Sequence, residues 1–232
     1  MTKIIILHGW TYATYKWDKF MTLMSEDGIE AKLLGIPGLT EAIDRAWTLN
    51  DYVNWLKNIL DQEPRPVILL GHSNGGRIAL ALTVKYPEKI SHLILLDSAG
   101  IYHHEWPLRL KRVVFGQLAR LGKKFTTSPT LRKILHRLAG TRDYDRASPL
   151  MRQTMINLIE VDLRPVLGQI KVPTLIIWGS KDKATPLADG RLMQRLIPQA
   201  PLEVIEDAGH SPQASHPEIV LKIIKENINL SP

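Results

Sequence analysis

The 232-residue sequence contains no cysteine. That excludes disulfides and thiolate metal sites, and leaves the redox compartment unread. Long apolar runs are missing too: nothing approaches the roughly eighteen residues of a membrane-spanning helix. The opening Met1-Thr2-Lys3-Ile4-Ile5-Ile6-Leu7 is too short an apolar run for a secretory signal and carries no cleavage site, so a soluble cytoplasmic protein is expected. Internal repeats and low-complexity tracts are absent. Strand signals disappear in one region, from Ile101 to about Ile170. Acidic side chains are scarce in much the same place. Between Ile101 and Arg164 thirteen Lys/Arg face five Asp/Glu, a balance of +8, while the remainder of the chain stands at −1 within a total of +7.

What is present fits one domain carrying a large insertion. Hydrophobic residues make up 44% of the chain, enough for a sizeable core. Short apolar runs alternate with helical patterns. Lys3–Gly9, Ala31–Gly38, the run opening at Pro66, His92–Gly100, Val172–Gly179 and Leu202–Ile205 read as strands. Asp18–Ser25, a stretch from about Asn50, the segment after Ser73 to about Tyr86, Leu187–Leu196 and Pro217–Ile228 read as helices. Such alternation predicts an α/β fold with a mostly parallel sheet of about six strands flanked by helices. Residues 1–100 and 171–232 would form this core, and 101–170 an all-helical insertion after the fourth strand. Ser128-Pro129 and Ser148-Pro149 each place a capping serine before a proline at the first helical position.

The most informative stretch is Pro66-Val67-Ile68-Leu69-Leu70-Gly71-His72-Ser73-Asn74-Gly75-Gly76, followed at once by a helical pattern. Strand, sharp corner and helix with a serine at the corner is the context of a nucleophile elbow. Gly71 and Gly75 are expected where strand and helix pass too close for a Cβ. Gly-x-Ser-x-Gly alone is weak, arising by chance in roughly one chain of this length in a dozen. The rest of the chain strengthens it. Asp182 follows the strand that resumes the sheet, and His210 follows the last strand, so serine, acid and base all lie at carboxyl ends of strands, where such sheets bind ligands. A serine hydroxyl needs a neutral imidazole to take its proton, and a carboxylate to orient that imidazole. Two backbone N–H groups, of Asn74 and of Trp10 in His8-Gly9-Trp10, are expected to form an oxyanion hole. Asp97 also ends a strand and is the alternative acid. Asp189 and Asp207 read as capping or turn residues, and His8 and His72 as structural hydrogen-bonding groups. His103-His104 reads as a surface or pocket pair rather than a metal site.

These motifs resemble the α/β-hydrolase superfamily across nearly the whole chain: His8-Gly9-Trp10, Gly35-Ile36-Pro37-Gly38, the Trp47–Val53 stretch, the serine elbow, Trp178-Gly179-Ser180-Lys181-Asp182 and Gly209-His210-Ser211-Pro212. Trp47–Val53 and Asp143–Leu163 resemble small carboxylesterases near the meta-cleavage-product hydrolases. His8-Gly9-Trp10 with a basic insertion resembles the pimeloyl carrier-protein methyl ester esterases. The resemblance implies that residues 101–170 form a helical cap over the active site. There are departures. The chain opens on the family's third strand, so the usual antiparallel hairpin is not expected. His72 before the serine is typical of esterases, where C–C hydrolases more often carry asparagine. Ser211 follows His210 where C–C hydrolases commonly have tryptophan, and Ser73 argues against the aspartate-nucleophile dehalogenases and epoxide hydrolases.

The expected activity is hydrolysis of carboxylic esters through an acyl-enzyme, with catalytic Ser73, Asp182 and His210 and no metal or organic cofactor. Alternatives are a C–C bond hydrolase of the meta-cleavage type, a carrier-protein acyl esterase and a ligand receptor on the same fold. The expected partner is a small ester substrate. The basic cluster Arg109, Lys111, Arg112, Arg120, Lys123 and Lys124 suggests an acidic carrier protein or an anionic surface; without aromatic interleaving it does not suggest nucleic acid.

Overall fold

The computed structural model describes residues 3–103 and 147–229. The expectations for His104, the basic cluster from Arg109 to Lys124, Ser128-Pro129 and most of the cap lie outside these residues.

Six strands form one sheet: β1 (Ile4–Leu7), β2 (Ala31–Leu34), β3 (Val67–His72), β4 (Ile90–Leu96), β5 (Thr174–Gly179) and β6 (Leu202–Ile205). Their order is β2-β1-β3-β4-β5-β6, and every pairing is parallel. Parallel neighbours need crossovers, which put helices on both faces. Side chains alternate between those faces with period two. Ile4, Ile6, Ile68, Leu70, Ile94, Leu96, Leu175 and Ile177 pack with Phe20 and Met24 of α1 (Asp18–Glu26) and Val220, Leu221 and Ile224 of α7 (Pro217–Asn227). Ile5, Leu7, Leu69, Leu93, Leu95, Ile176 and Trp178 pack with α2 (Leu49–Leu60), α3 (Asn74–Lys85) and α6 (Leu187–Leu196). Burial on both sides is why β1, β3 and β5 read as continuous apolar runs, while the edge strands β2 and β6, half-buried, admit Lys32 and Glu203.

Several bounds differ from expectation for local reasons. The second strand stops at Leu34 because Ile36-Pro37-Gly38 turns: Leu39 and Thr40 both donate to the Ile36 carbonyl, and Gly38 has φ +84°. The fourth starts at Ile90 and ends at Leu96, where Asp97 leaves the sheet at φ +42°. α2 starts one residue early, behind a reciprocal cap. Thr48 Oγ1 accepts from the Asp51 N–H at 3.3 Å, and the Asp51 carboxylate accepts from the Thr48 N–H at 2.8 Å.

Between β4 and β5 the described residues form α4 (Pro149–Ile159) and α5 (Arg164–Leu167). Ser148 caps α4 as expected, its hydroxyl accepting from the Met151 N–H. α4 grips one peptide unit of the core: the Trp47 N–H donates to Thr154 Oγ1 at 2.9 Å, and Asn157 donates to the Trp47 carbonyl at 3.1 Å. The returning chain is tied back by Leu163 N–H to the Gly100 carbonyl (3.0 Å) and by buried Arg77 to the Val161 carbonyl (2.6 Å).

The two elbow glycines answer to different neighbours. A Cβ on Gly71 would stand 2.6 Å from Gly76 Cα, the expected strand–helix approach. A Cβ on Gly75 would instead strike the carbonyls of Leu7 and His8, so the end of β1 imposes that glycine. Gly75→Ala should therefore destabilise the protein by at least about 1–3 kcal/mol in urea denaturation, since backbone carbonyls cannot rotate aside. Gly209→Ala, with nothing among the described residues within 4 Å of its Cβ position, should unfold close to wild type. Equal stability of the two variants would show that β1 can retreat.

Candidate active site

Ser73 lies between β3 and α3 at φ +53°, ψ −120°. A non-glycine residue persists in that region only when its surroundings over-determine it. Here the Ser73 N–H donates to the Leu96 carbonyl, while its own carbonyl accepts from the N–H groups of Gly76 and Ala99. Asp182 and His210 are brought over it by turns that press together. A Cβ on Gly179 would meet the carbonyls of Ala208 and Gly209 at 2.6 Å, and the N–H groups of Ser180 and Lys181 donate to Ile205 and Ala208.

The result is a continuous chain of hydrogen bonds. His210 Nε2 is 2.9 Å from Ser73 Oγ, and His210 Nδ1 is 2.8 Å from Asp182 Oδ2. The Asp182 side chain is fully buried, whereas the His210 side chain retains 29% exposure. Burial pushes the Asp182 carboxyl up, but His210, the Thr185 hydroxyl and the Ala184 N–H outweigh it and hold it below the usual carboxylate range. An ionised acceptor at Nδ1 places the ring proton there, leaving the Nε2 lone pair toward the serine. That geometry can withdraw the serine proton as Oγ attacks an electrophilic carbon.

Asn74 opens α3, so helix geometry leaves its N–H without an intrahelical acceptor. Gly9, immediately before Trp10, lies against Ser73: a Cβ there would be 2.9 Å from Ser73 Cβ and 3.0 Å from His72 Nδ1. His8 Nδ1–H donates to the Gly9 carbonyl at 2.8 Å, and burial keeps that imidazole below its usual pKa.

His72 makes the structural bond expected of it. Its Nε2–H donates to the His210 carbonyl at 2.7 Å, Trp17 packs edge-on against its ring, and burial followed by the nearby His210 pushes it down to about 3. Asp97, the alternative acid, is fully buried but makes no hydrogen bond to His210. Its Oδ1 accepts from the Gly179 N–H at 2.8 Å, and its Oδ2 has no partner among the described residues. Burial drives this carboxyl up to about 8, against the opposing pull of Gly179. Asp207 occupies a turn, at φ +63°, as expected. Asp189 is more than a capping residue: it is buried and pairs with His103 Nε2 at 2.8 Å.

Ligand atoms of His72, Asp97 and His210 lie within 4.8 Å of one another. A cation there would compete for the His210 nitrogens that face Asp182 and Ser73. Sequence reasoning missed Thr185, whose hydroxyl touches both Asp182 and His210. Its only signal was a hydroxyl three residues beyond the acid.

A family model described as alpha/beta hydrolase fold matches residues 3–217. A pimeloyl-[acyl-carrier protein] methyl ester esterase of Nitrosomonas europaea is 26% identical, covering 93% of this chain and 91% of that protein. The biotin biosynthesis bifunctional protein BioHC of Teredinibacter turnerae is also 26% identical over 95% of this chain, which spans only 43% of that longer protein. Among solved structures, MGS-MChE2, an alpha/beta hydrolase enzyme from the metagenome of Mar Chica lagoon sediments in Morocco, superposes with a TM-score of 0.70 at 25% identity, covering 97% of this chain and 89% of that one. No helix among the described residues is long and apolar enough to cross a membrane.

The state of Asp97 has a measurable consequence. Its folded pKa of about 8 exceeds the value of about 4 in an unfolded chain. The folded protein holds a proton that the unfolded chain has released, so this contribution is complete below about pH 4 and is lost as pH rises through 8. Asp97→Asn does not titrate, and its stability relative to wild type should rise between pH 4 and 8. Urea denaturation across that range checks it; parallel curves for the two proteins would contradict the neutral carboxyl.

Proposed function

The chain belongs to the α/β-hydrolase family, and we propose that within it the protein is a serine esterase that cleaves carboxylic esters through an acyl-enzyme. The observation that carries this reading is the unbroken Ser73–His210–Asp182 chain at three strand ends. In this mechanism Ser73 Oγ attacks the ester carbonyl carbon while His210 Nε2 takes its proton. The tetrahedral oxyanion is stabilised by the N–H groups of Trp10 and Asn74. His210 then gives the proton to the departing alcohol. Water, deprotonated by the same nitrogen, attacks the acyl-enzyme, and Ser73 leaves with its proton restored as the acid is released. Asp182 keeps the ring oriented and stabilises the imidazolium without taking the proton. The 101–170 segment serves as the cap that covers the substrate.

Ser73→Ala and His210→Ala should each lower turnover of a p-nitrophenyl ester by about three orders of magnitude or more, and the double variant should lose little beyond that, because the residues act as a unit. Asp182→Asn should be strongly impaired and Asp97→Asn close to wild type. Full activity in folded Ser73→Ala would overturn the mechanism, and a worse Asp97→Asn would move the acid.

A second, finer reading concerns the substrate. The named activity of the Nitrosomonas europaea relative, together with the +8 balance between Ile101 and Arg164, favours an ester borne on an acidic acyl carrier protein. Opposite charge raises encounter rates, and salt screens the attraction over about 8 Å near physiological ionic strength. Reversing Arg109, Lys111 and Arg112 to glutamate should lower kcat/KM for a carrier-bound ester and flatten its salt dependence, leaving a small neutral ester unaffected. Identical salt dependence for both substrates would leave the basic segment a solubilising surface.

A further inference from the structure

We infer that Thr185 is a positioning residue of the triad, its hydroxyl fixing the Asp182 carboxylate so that Oδ2 stays aimed at His210. The inference rests on the esterase reading above and deepens it.

Thr185 is 2% exposed and too deeply buried to meet substrate. Its Oγ1 lies 2.7 Å from Asp182 Oδ2, 3.0 Å from the Asp97 carbonyl and 3.2 Å from His210 Nδ1. The hydroxyl has one proton to give. An ionised carboxylate is the stronger acceptor and here the nearer one, so the proton goes to Asp182. Oδ2 is then held by two donors, Thr185 O–H and His210 Nδ1–H, while Oδ1 accepts from the Ala184 and Thr185 N–H groups at 2.7 and 3.1 Å. Four donors leave the carboxylate no alternative rotation about its own bond. Removing Oγ1 leaves Oδ2 with the imidazole alone, and that ring is the partially exposed member that must be held steady.

Thr185 can serve as a fixed point because it is itself anchored. Its carbonyl accepts from the buried Trp178 indole N–H at 2.9 Å. A Cβ on Gly190 of α6 would strike the Trp178 ring at 2.7 Å, so that helix seats the indole closely. The left-handed turn at Asp97 brings its carbonyl against the same hydroxyl. One side chain thus touches residues at the ends of β4, β5 and β6. Asp97 acquires a role here that is not the acid's: its carboxyl holds the Gly179 N–H and its carbonyl bounds the Thr185 pocket.

The test compares Thr185→Val, Thr185→Ser and Thr185→Ala in the full chain, with p-nitrophenyl butyrate as probe and thermal unfolding as the check on folding. Thr185→Val should lose roughly ten- to hundredfold in kcat with KM changed by no more than about twofold. Thr185→Ser should recover most of the loss. Should the valine variant fail to fold, Ser against Ala isolates the hydroxyl alone, with the same expected gap. The low-field Nδ1–H proton resonance of His210 should move or broaden in Val or Ala and persist in Ser. Val or Ala with wild-type kcat and an unchanged resonance would overturn the inference, as would Ser being as impaired as Ala. Fluorophosphonate labelling of Ser73 separates the two levels. If wild type neither labels nor turns over, the esterase reading fails, and the resonance still decides the role of Thr185.

Discussion

The structure depends on a strained corner and the backbone bonds that keep it strained. A serine at φ +53° costs on the order of 1–3 kcal/mol. It is held because the carbonyl of Leu96, the last residue of β4, accepts its N–H, and because Ala99 returns to donate to its carbonyl. The order of the sheet follows from that need: β3 must have β4 on one side to hold the corner and β1 on the other to bring Gly9 beside it. Bringing together Ser73, Asp182 and His210 from the ends of β3, β5 and β6 then requires only that the turns after β5 and β6 fold over the same edge.

Two buried aspartates at neighbouring strand ends show how donors, rather than burial, decide charge. Asp182 collects four and is held ionised; Asp97 has one, from Gly179, and is held neutral. A neutral carboxyl below the triad adds no second negative charge to compete for His210. Burial lowers the pKa of His8 and His72 likewise, which disfavours a second cationic imidazole beside His210 among the described residues.

Much of this was legible in the sequence, and the reasons are specific. A strand buried on both faces advertises itself as a short β-branched run, so β5 was placed within two residues; the half-buried β6 and the helix Leu187–Leu196 were placed at their observed bounds. The order serine, aspartate, histidine at strand ends named the residues that the fold brings together. Contacts between distant segments were not legible. Nothing local marks Gly75 as answering to β1, Thr154 and Asn157 as clasping Trp47, or Asp189 as the partner of His103. Thr185 sits close to Asp182 in sequence, yet its weight comes from Asp97 and His210, more than twenty residues away on either side.

The bond between His210 and Ser73 joins residues 137 positions apart, and His72 reaches the His210 backbone across 138. Every strand pairing among the described residues is parallel, so none of these can form as a local hairpin, and folding has to close long loops before contacts reward it. The site therefore assembles only when β6 and the turn beyond it have docked against β5. During synthesis, a chain that has not yet delivered His210 lacks this partner of Ser73, whatever else of it has formed. Activity recovered on refolding therefore reports the docking of β6 and its turn, which the collapse of a core alone does not supply.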